Sequence, residues 1–137
     1  MSLNVEDRME IENLYRVYNH RVDLTGDAAG VADCFVADGV YDHGRFGRVE
    51  GREAITAFMQ TAIDDQEGGF QHWNANLLID GEGDEVTATA YVMTMDARTV
   101  PPVIARASVY RDVLRRTAAG WRFVSRRVGY PASEFRQ

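Results

Sequence analysis

The sequence contains no lysine; all fifteen of its basic side chains are arginines. That excludes Schiff-base chemistry, which needs an amine nucleophile. Cys34 is the only cysteine, so no intrachain disulfide framework is possible. It lies in the apolar stretch Val31-Ala-Asp-Cys-Phe-Val36 and is expected to be a buried, inert thiol. No run approaches the roughly 18 consecutive apolar residues of a membrane span. The start of the chain, Met1 to Arg8, is acidic and lacks the apolar core of a signal peptide, so a cytoplasmic protein is expected. Positive charge is in deficit, with a net charge of −6, which argues against nucleic acid or an anionic membrane as a partner. Three histidines are present, His20, His43 and His72. No H-x-x-x-H or C-x-x-C spacing accompanies them, so no metal is expected. The glycine pairs at 44/47 and 81/83 read as turns rather than phosphate loops, because neither opens a helix in a βαβ unit.

What is present is an ordinary globular composition, 45% hydrophobic and 26% charged over 137 residues. One domain spanning 1–137 is the natural reading. Met9, Leu14, Val17 and Tyr18 recur near helical spacing and predict an amphipathic helix from Val5 to Val22. Gly26 suits the end of that helix, and Asp27 suits the N-cap of a short second helix carrying Val31, Cys34 and Phe35. A short strand follows at Val40–Asp42, turned back on residues 48–50, and then a third helix from Arg52 to Ile63. The remainder predicts four strands, Phe70–Asp80, Glu85–Asp96, Val103–Arg115 and Gly120–Val128, the first two joined by a turn at 81–84. Helices followed by strands mean an α+β protein with a mostly antiparallel sheet. A curved sheet of this size, closed by the N-terminal helices, leaves room for an internal cavity. A solid α+β sandwich is the alternative.

Two residues carry the chemistry. Asp23 stands at the end of the first helix, where the helix dipole disfavours a carboxylate. His72 stands on the first long strand. If both face one cavity they form a base and its orienter. Strict alternation places His72, Asn74, Asn76 and Leu78 on one strand face, and Trp73, Ala75, Leu77 and Ile79 on the other. The polar stripe faces either a wet pocket or bulk solvent; periodicity does not decide between them. Tyr15, Tyr41 and Tyr91 are either pocket residues or core aromatics.

Short motifs along almost the whole chain resemble the NTF2-like superfamily, in its SnoaL-like and scytalone-dehydratase-like branch. They are Ile11-x-x-Leu14-Tyr15, Asp23-x-x-Gly26-Asp27, Phe35-x-x-Asp38-Gly39-Val40-Tyr41 and Gly51-Arg-Glu-Ala-Ile55. His72-x-x-x-Asn76, Asp80-Gly81, Ala88-x-Ala90-Tyr91, Tyr110-x-Asp-x-Leu and Gly120-Trp-Arg-Phe123 complete the set. The resemblance implies a cone-shaped sheet around a deep apolar pocket. It also implies that His72 removes a proton next to an electron-withdrawing group while Asp23 holds the imidazole. His43 falls near a substrate-binding tyrosine of the dehydratases. Ser108 and Tyr110 fall on a strand that supplies further pocket polar groups. The second pocket histidine of scytalone dehydratase is absent; Met93-Thr-Met-Asp96 stands in that region.

The implied activity is a cofactor-independent lyase or isomerase, dehydratase-like, acting on a small cyclic or polyketide-like carbonyl compound. Asp23 and His72 are its catalytic candidates. His43, Tyr15, Tyr41, Asn76, Ser108 and Tyr110 are its candidate substrate contacts. The alternatives are a non-catalytic assembly module, like the small subunits of ring-hydroxylating dioxygenases, or an epoxide-hydrolase-like water activator. The expected partner is a small apolar carbonyl-containing molecule. Trp73, Leu77 and Ile79 on the reverse sheet face predict a homo-oligomer, with a trimer suggested by the dehydratase relatives and a dimer next.

Overall fold

The computed structural model describes residues 3–130; Met1 and Ser2 of the N-terminal segment read above lie outside the described residues. Helix α1 (Val5–Asp23) opens on a reciprocal capping box. The Asn4 side chain accepts the Asp7 N–H at 2.8 Å, and the Asp7 carboxylate accepts the Asn4 N–H at 3.2 Å. Two otherwise unpaired donors are thereby satisfied. The Asp7 carboxylate also accepts from Trp121 Nε1 at 3.1 Å and from the Arg116 guanidinium, which holds its carboxyl well below the usual range. Ile11, Leu14, Tyr15, Tyr18 and Val22 form the buried face of α1.

Gly26 adopts φ +57°, and Asp27 Oδ1 then accepts the Gly30 N–H at 2.9 Å to cap α2 (Ala28–Ala32). This second helix stops short of Cys34 and Phe35, contrary to the spacing-based expectation. Phe35 instead begins strand β1 (Phe35–His43), and the Cys34 carbonyl accepts the Phe123 N–H at 2.8 Å. That pairing joins residues far apart in sequence, and local periodicity carries no trace of it. Cys34 is 1% exposed, and burial pushes its thiol pKa up.

Strand β2 (Gly47–Glu50) folds back on β1, and α3 (Arg52–Gln66) follows. Strands β3 (Phe70–Asp80), β4 (Glu85–Asp96), β5 (Val103–Thr117) and β6 (Gly120–Gly129) complete a six-stranded sheet in the order β2-β1-β6-β5-β4-β3. Among the described residues, only β1 and β6 pair in parallel. The architecture is the expected α+β arrangement, a curved, unclosed sheet with N-terminal helices packed on it. Ile11, Val31, Ile55, Leu114 and Phe123 are fully buried between these layers. No helix among the described residues is long and apolar enough to cross a membrane.

Strand β3 departs from simple alternation. Asn76 takes φ +55°, and the register with β4 slips between Ala75 and Leu78. Asn tolerates this backbone region better than most residues, and the resulting bulge inverts the facing of everything beyond it. Leu77 and Ile79 therefore pack against the core with His72 and Asn74, whereas Leu78 joins Trp73 outside. The predicted apolar patch of Trp73, Leu77 and Ile79 is corrected to Trp73, Leu78 and the neighbouring Tyr91, each more than half exposed.

The deepest polar feature is an ion pair between β5 and β6. Arg126 Nε and Nη2 donate to Asp112 Oδ1 and Oδ2, each at 2.9 Å, with both side chains fully buried. Tyr15 donates its hydroxyl to the same carboxylate. The guanidinium lies 3.7 Å from the Tyr110 ring centre, 4.2 Å from Phe123 and 4.4 Å from Tyr18. Aromatic faces attract such a cation. Truncating one partner of a buried pair leaves the other charge uncompensated, so Asp112→Ala is expected to lower unfolding free energy by ~3–5 kcal/mol. Urea denaturation followed by circular dichroism measures this; a loss under ~1 kcal/mol would refute the assignment.

Candidate functional site

The last residue of α1 meets the edge strand of the sheet. Asp23 Oδ1 lies 2.6 Å from His72 Nδ1, and Asp23 Oδ2 accepts the His72 backbone N–H at 2.7 Å. The carboxylate thus holds both the ring and the strand that carries it. Both side chains are largely buried, 7% exposed for Asp23 and 14% for His72. With a carboxylate against Nδ1, we assign the ring hydrogen to Nδ1, which leaves Nε2 as the basic nitrogen. The two donors also offset the unfavourable end of the helix dipole at Asp23.

His72 borders a half-enclosed cavity of about 420 Å³ between α1, α3 and the sheet, within the size range of small-molecule sites. Its walls include Val22, Phe58, Met59, Ala62 and Phe70. Its polar groups are Tyr18, Tyr41, His43, Arg106 and Tyr110, with Thr61, Asp65 and Gln66 from α3. Burial pushes the Tyr110 hydroxyl up to about 12 and those of Tyr18 and Tyr41 well above their ordinary range. All three are protonated near neutral pH and can donate hydrogen bonds. Burial also drives the His43 ring down to about 4, aided by the nearby charges of Arg106 and Arg45. His43 is therefore neutral at pH 7. Among the described residues, no three His, Cys, Asp or Glu side chains gather as a metal would require.

The structure therefore brings Asp23, His72, His43, Tyr41 and Tyr110 together. It leaves Tyr15, Asn76 and Ser108 outside that cavity. Tyr15 points its hydroxyl at Asp112 and borders a second, open groove of about 680 Å³ between α1 and β3, whose lining also includes Asp23 and His72. Asn76 sits exposed on that groove, because the bulge turns it away from the cavity. Ser108 is buried but does not line the cavity. Tyr91 is on the outer face, 57% exposed. Among the cavity residues that escaped the sequence reading are Tyr18 and Arg106. Tyr18 looked like a core residue of α1, which it also is. Arg106 shares its strand parity with Ser108 and Tyr110, and that parity was the available signal.

Residues 4–127 match the SnoaL-like domain family. Among solved structures, an NTF2-like protein with a cystatin-like fold from Novosphingobium aromaticivorans is 31% identical, with a TM-score of 0.83 over 96% of this chain and 86% of that one. ActVI-ORFA from Streptomyces coelicolor is 25% identical, with a TM-score of 0.82 over 96% of this chain and 99% of the other. A protein of Catenulispora acidiphila solved in complex with S-DNPA is 27% identical, with a TM-score of 0.77 over 91% and 93% of the two chains. No functionally curated protein matches the sequence.

The depressed His43 value has a consequence for stability. Its folded-state value of about 4 lies below the ordinary 6.5, so the unfolded chain binds more protons between these limits. Stability is then full above pH 6.5 and falls as pH drops toward 4. His43→Asn is expected to flatten that part of the pH dependence. Urea midpoints at pH 7 and pH 5 check this: an unchanged difference between the two would show that His43 is not the group responsible.

Proposed function

The chain belongs to the SnoaL-like family of NTF2-like proteins, and we propose that it is a cofactor-independent lyase or isomerase acting on a small cyclic or polyketide-like carbonyl compound. The observation that carries this reading is the doubly held Asp23–His72 contact beside an open cavity. His72 Nε2 removes a proton from the carbon next to the substrate carbonyl. The C–H electron pair moves into an enolate, whose oxygen accepts hydrogen bonds from the tyrosine hydroxyls. In an elimination, the enolate expels a hydroxyl from the β-carbon. The imidazolium returns its proton to that group, and water leaves. In an isomerisation, the same proton returns to a different carbon. Asp23 fixes the tautomer and stabilises the imidazolium without taking a proton itself.

Support comes also from the cavity being open rather than filled by side chains, as a pure assembly module would allow. The water-activating alternative fares worse. Asp112 and Arg126 form a pair, but neither lines the cavity. The test is deuterium exchange at the α-carbons of 2-tetralone in D₂O, followed by proton NMR. Wild-type protein should accelerate exchange above buffer. His72→Ala should return it to background, and Asp23→Asn should reduce it by ~10²–10⁴-fold. Equal exchange by wild type and His72→Ala would remove His72 as the base.

The outer sheet face supports a second, structural reading. Trp73, Leu78 and Tyr91 form an exposed apolar surface on β3 and β4. Surfaces of this kind favour association, so a homo-oligomer, trimer before dimer, is proposed. Light scattering at micromolar concentration should give a multiple of 15.4 kDa, and Trp73→Glu should shift it toward the monomer. A monomeric wild type would rule the assembly out.

A further inference from the structure

Arg106 is the arginine of the cavity wall, and among the described residues it makes no ion pair. Other arginines are committed. Arg126 is bound to Asp112, Arg116 to Asp7 and Asp84, Arg98 to Asp96, and Arg115 to Glu85. The acids near the cavity do not answer Arg106 either. Both oxygens of Asp23 are occupied by His72. Asp65, exposed on α3 at the cavity margin, forms no ion pair with it. Among the described residues of this chain of net charge −6, Arg106 thus presents to the cavity a guanidinium that no carboxylate pairs with.

The placement of Arg106 is built into the sheet. Thr94 pairs with His72 on one side and with Arg106 on the other. Adjacent strands lie ~4.8 Å apart, so the His72 and Arg106 backbones stand ~10 Å from each other. Just beyond Arg106, β5 carries one extra residue, Ala105, between the pairs Thr94–Arg106 and Met95–Ile104. Such bulges re-aim side chains and end regular pairing. The charge of Arg106 acts on three other cavity groups, His43, Tyr41 and Tyr110. A guanidinium in a low-dielectric cleft selects planar anions, carboxylates above all, through paired N–H donors.

We propose that Arg106 is a carboxylate-binding residue, and that the ligand of this cavity is an anionic apolar molecule of one or two rings. Its carboxylate rests on Arg106, and its reacting carbon lies against His72. The second half of this statement rests on the proton-transfer reading above; the first half does not.

Isothermal titration separates the two. The probes are tetralin-2-carboxylate and its neutral isostere tetralin-2-carboxamide. Wild-type protein should bind the acid at least ~10-fold more tightly than the amide. Arg106→Gln should abolish that preference. Arg106→Lys, which keeps the charge but not the fork, should retain part of it and guards against misfolding of the Gln variant. His72→Gln should leave the preference intact while losing the 2-tetralone exchange. Equal affinities for acid and amide in the wild type would overturn the proposal. So would a preference that survives Arg106→Gln, or no saturable binding of the acid at millimolar concentration. An acid preference without exchange would instead keep the anchor and remove the base.

Discussion

The buried pairing of Arg126 with Asp112 is the constraint around which the interior is arranged. A guanidinium this deep is tolerable only when its charge is matched and its faces are covered. Asp112 supplies the charge from the neighbouring strand, and aromatic rings supply the faces. Two of those rings, Tyr15 and Tyr18, come from α1. The helix is therefore fixed on the sheet by the needs of one arginine. Tyr18 and Tyr110 serve twice, as cover for that arginine and as lining of the cavity. The floor of the cavity is thus the upper surface of the ion-pair cage.

The contact between Asp23 and His72 depends on this anchoring. Strand β3 ends the sheet and has a strand neighbour on one side only. One of its outward backbone donors, the His72 N–H, meets the helix end rather than another strand. Asp23 accepts it with one oxygen and accepts the ring with its other oxygen. The group that orients the base also fastens the strand that bears it. Such double use explains how an edge strand can present a side chain with a fixed tautomer and direction.

Much of this was legible in the sequence, and what was not has physical reasons. The bounds of β3 and β4 followed from turn-forming glycines and acids at 81–84, which are local signals. The capping role of Asp27 was local too. The extent of β1 was hidden, because Phe35 is recruited by a parallel partner nearly ninety positions away. The facing of Leu77 and Ile79 was misread, since alternation assumes an unbroken strand and Asn76 breaks it. Asp23 and His72 stood out through their chemistry and through the family resemblance. Arg106 and Tyr18 did not, because an arginine on a strand and a tyrosine on a helix are ordinary until the fold shows that both face the same space.

The bulge at Asn76 divides β3 into two stretches that follow opposite parity rules. The stretch before it carries His72 and Asn74 toward the interior; the stretch after it carries Leu77 and Ile79. A substitution pattern that suits one half is out of step with the other. The two halves therefore answer to different physical requirements: Phe70 and His72 to the cavity they line, Leu77 and Ile79 to packing against the core. One residue in an unusual backbone conformation lets a single strand serve both.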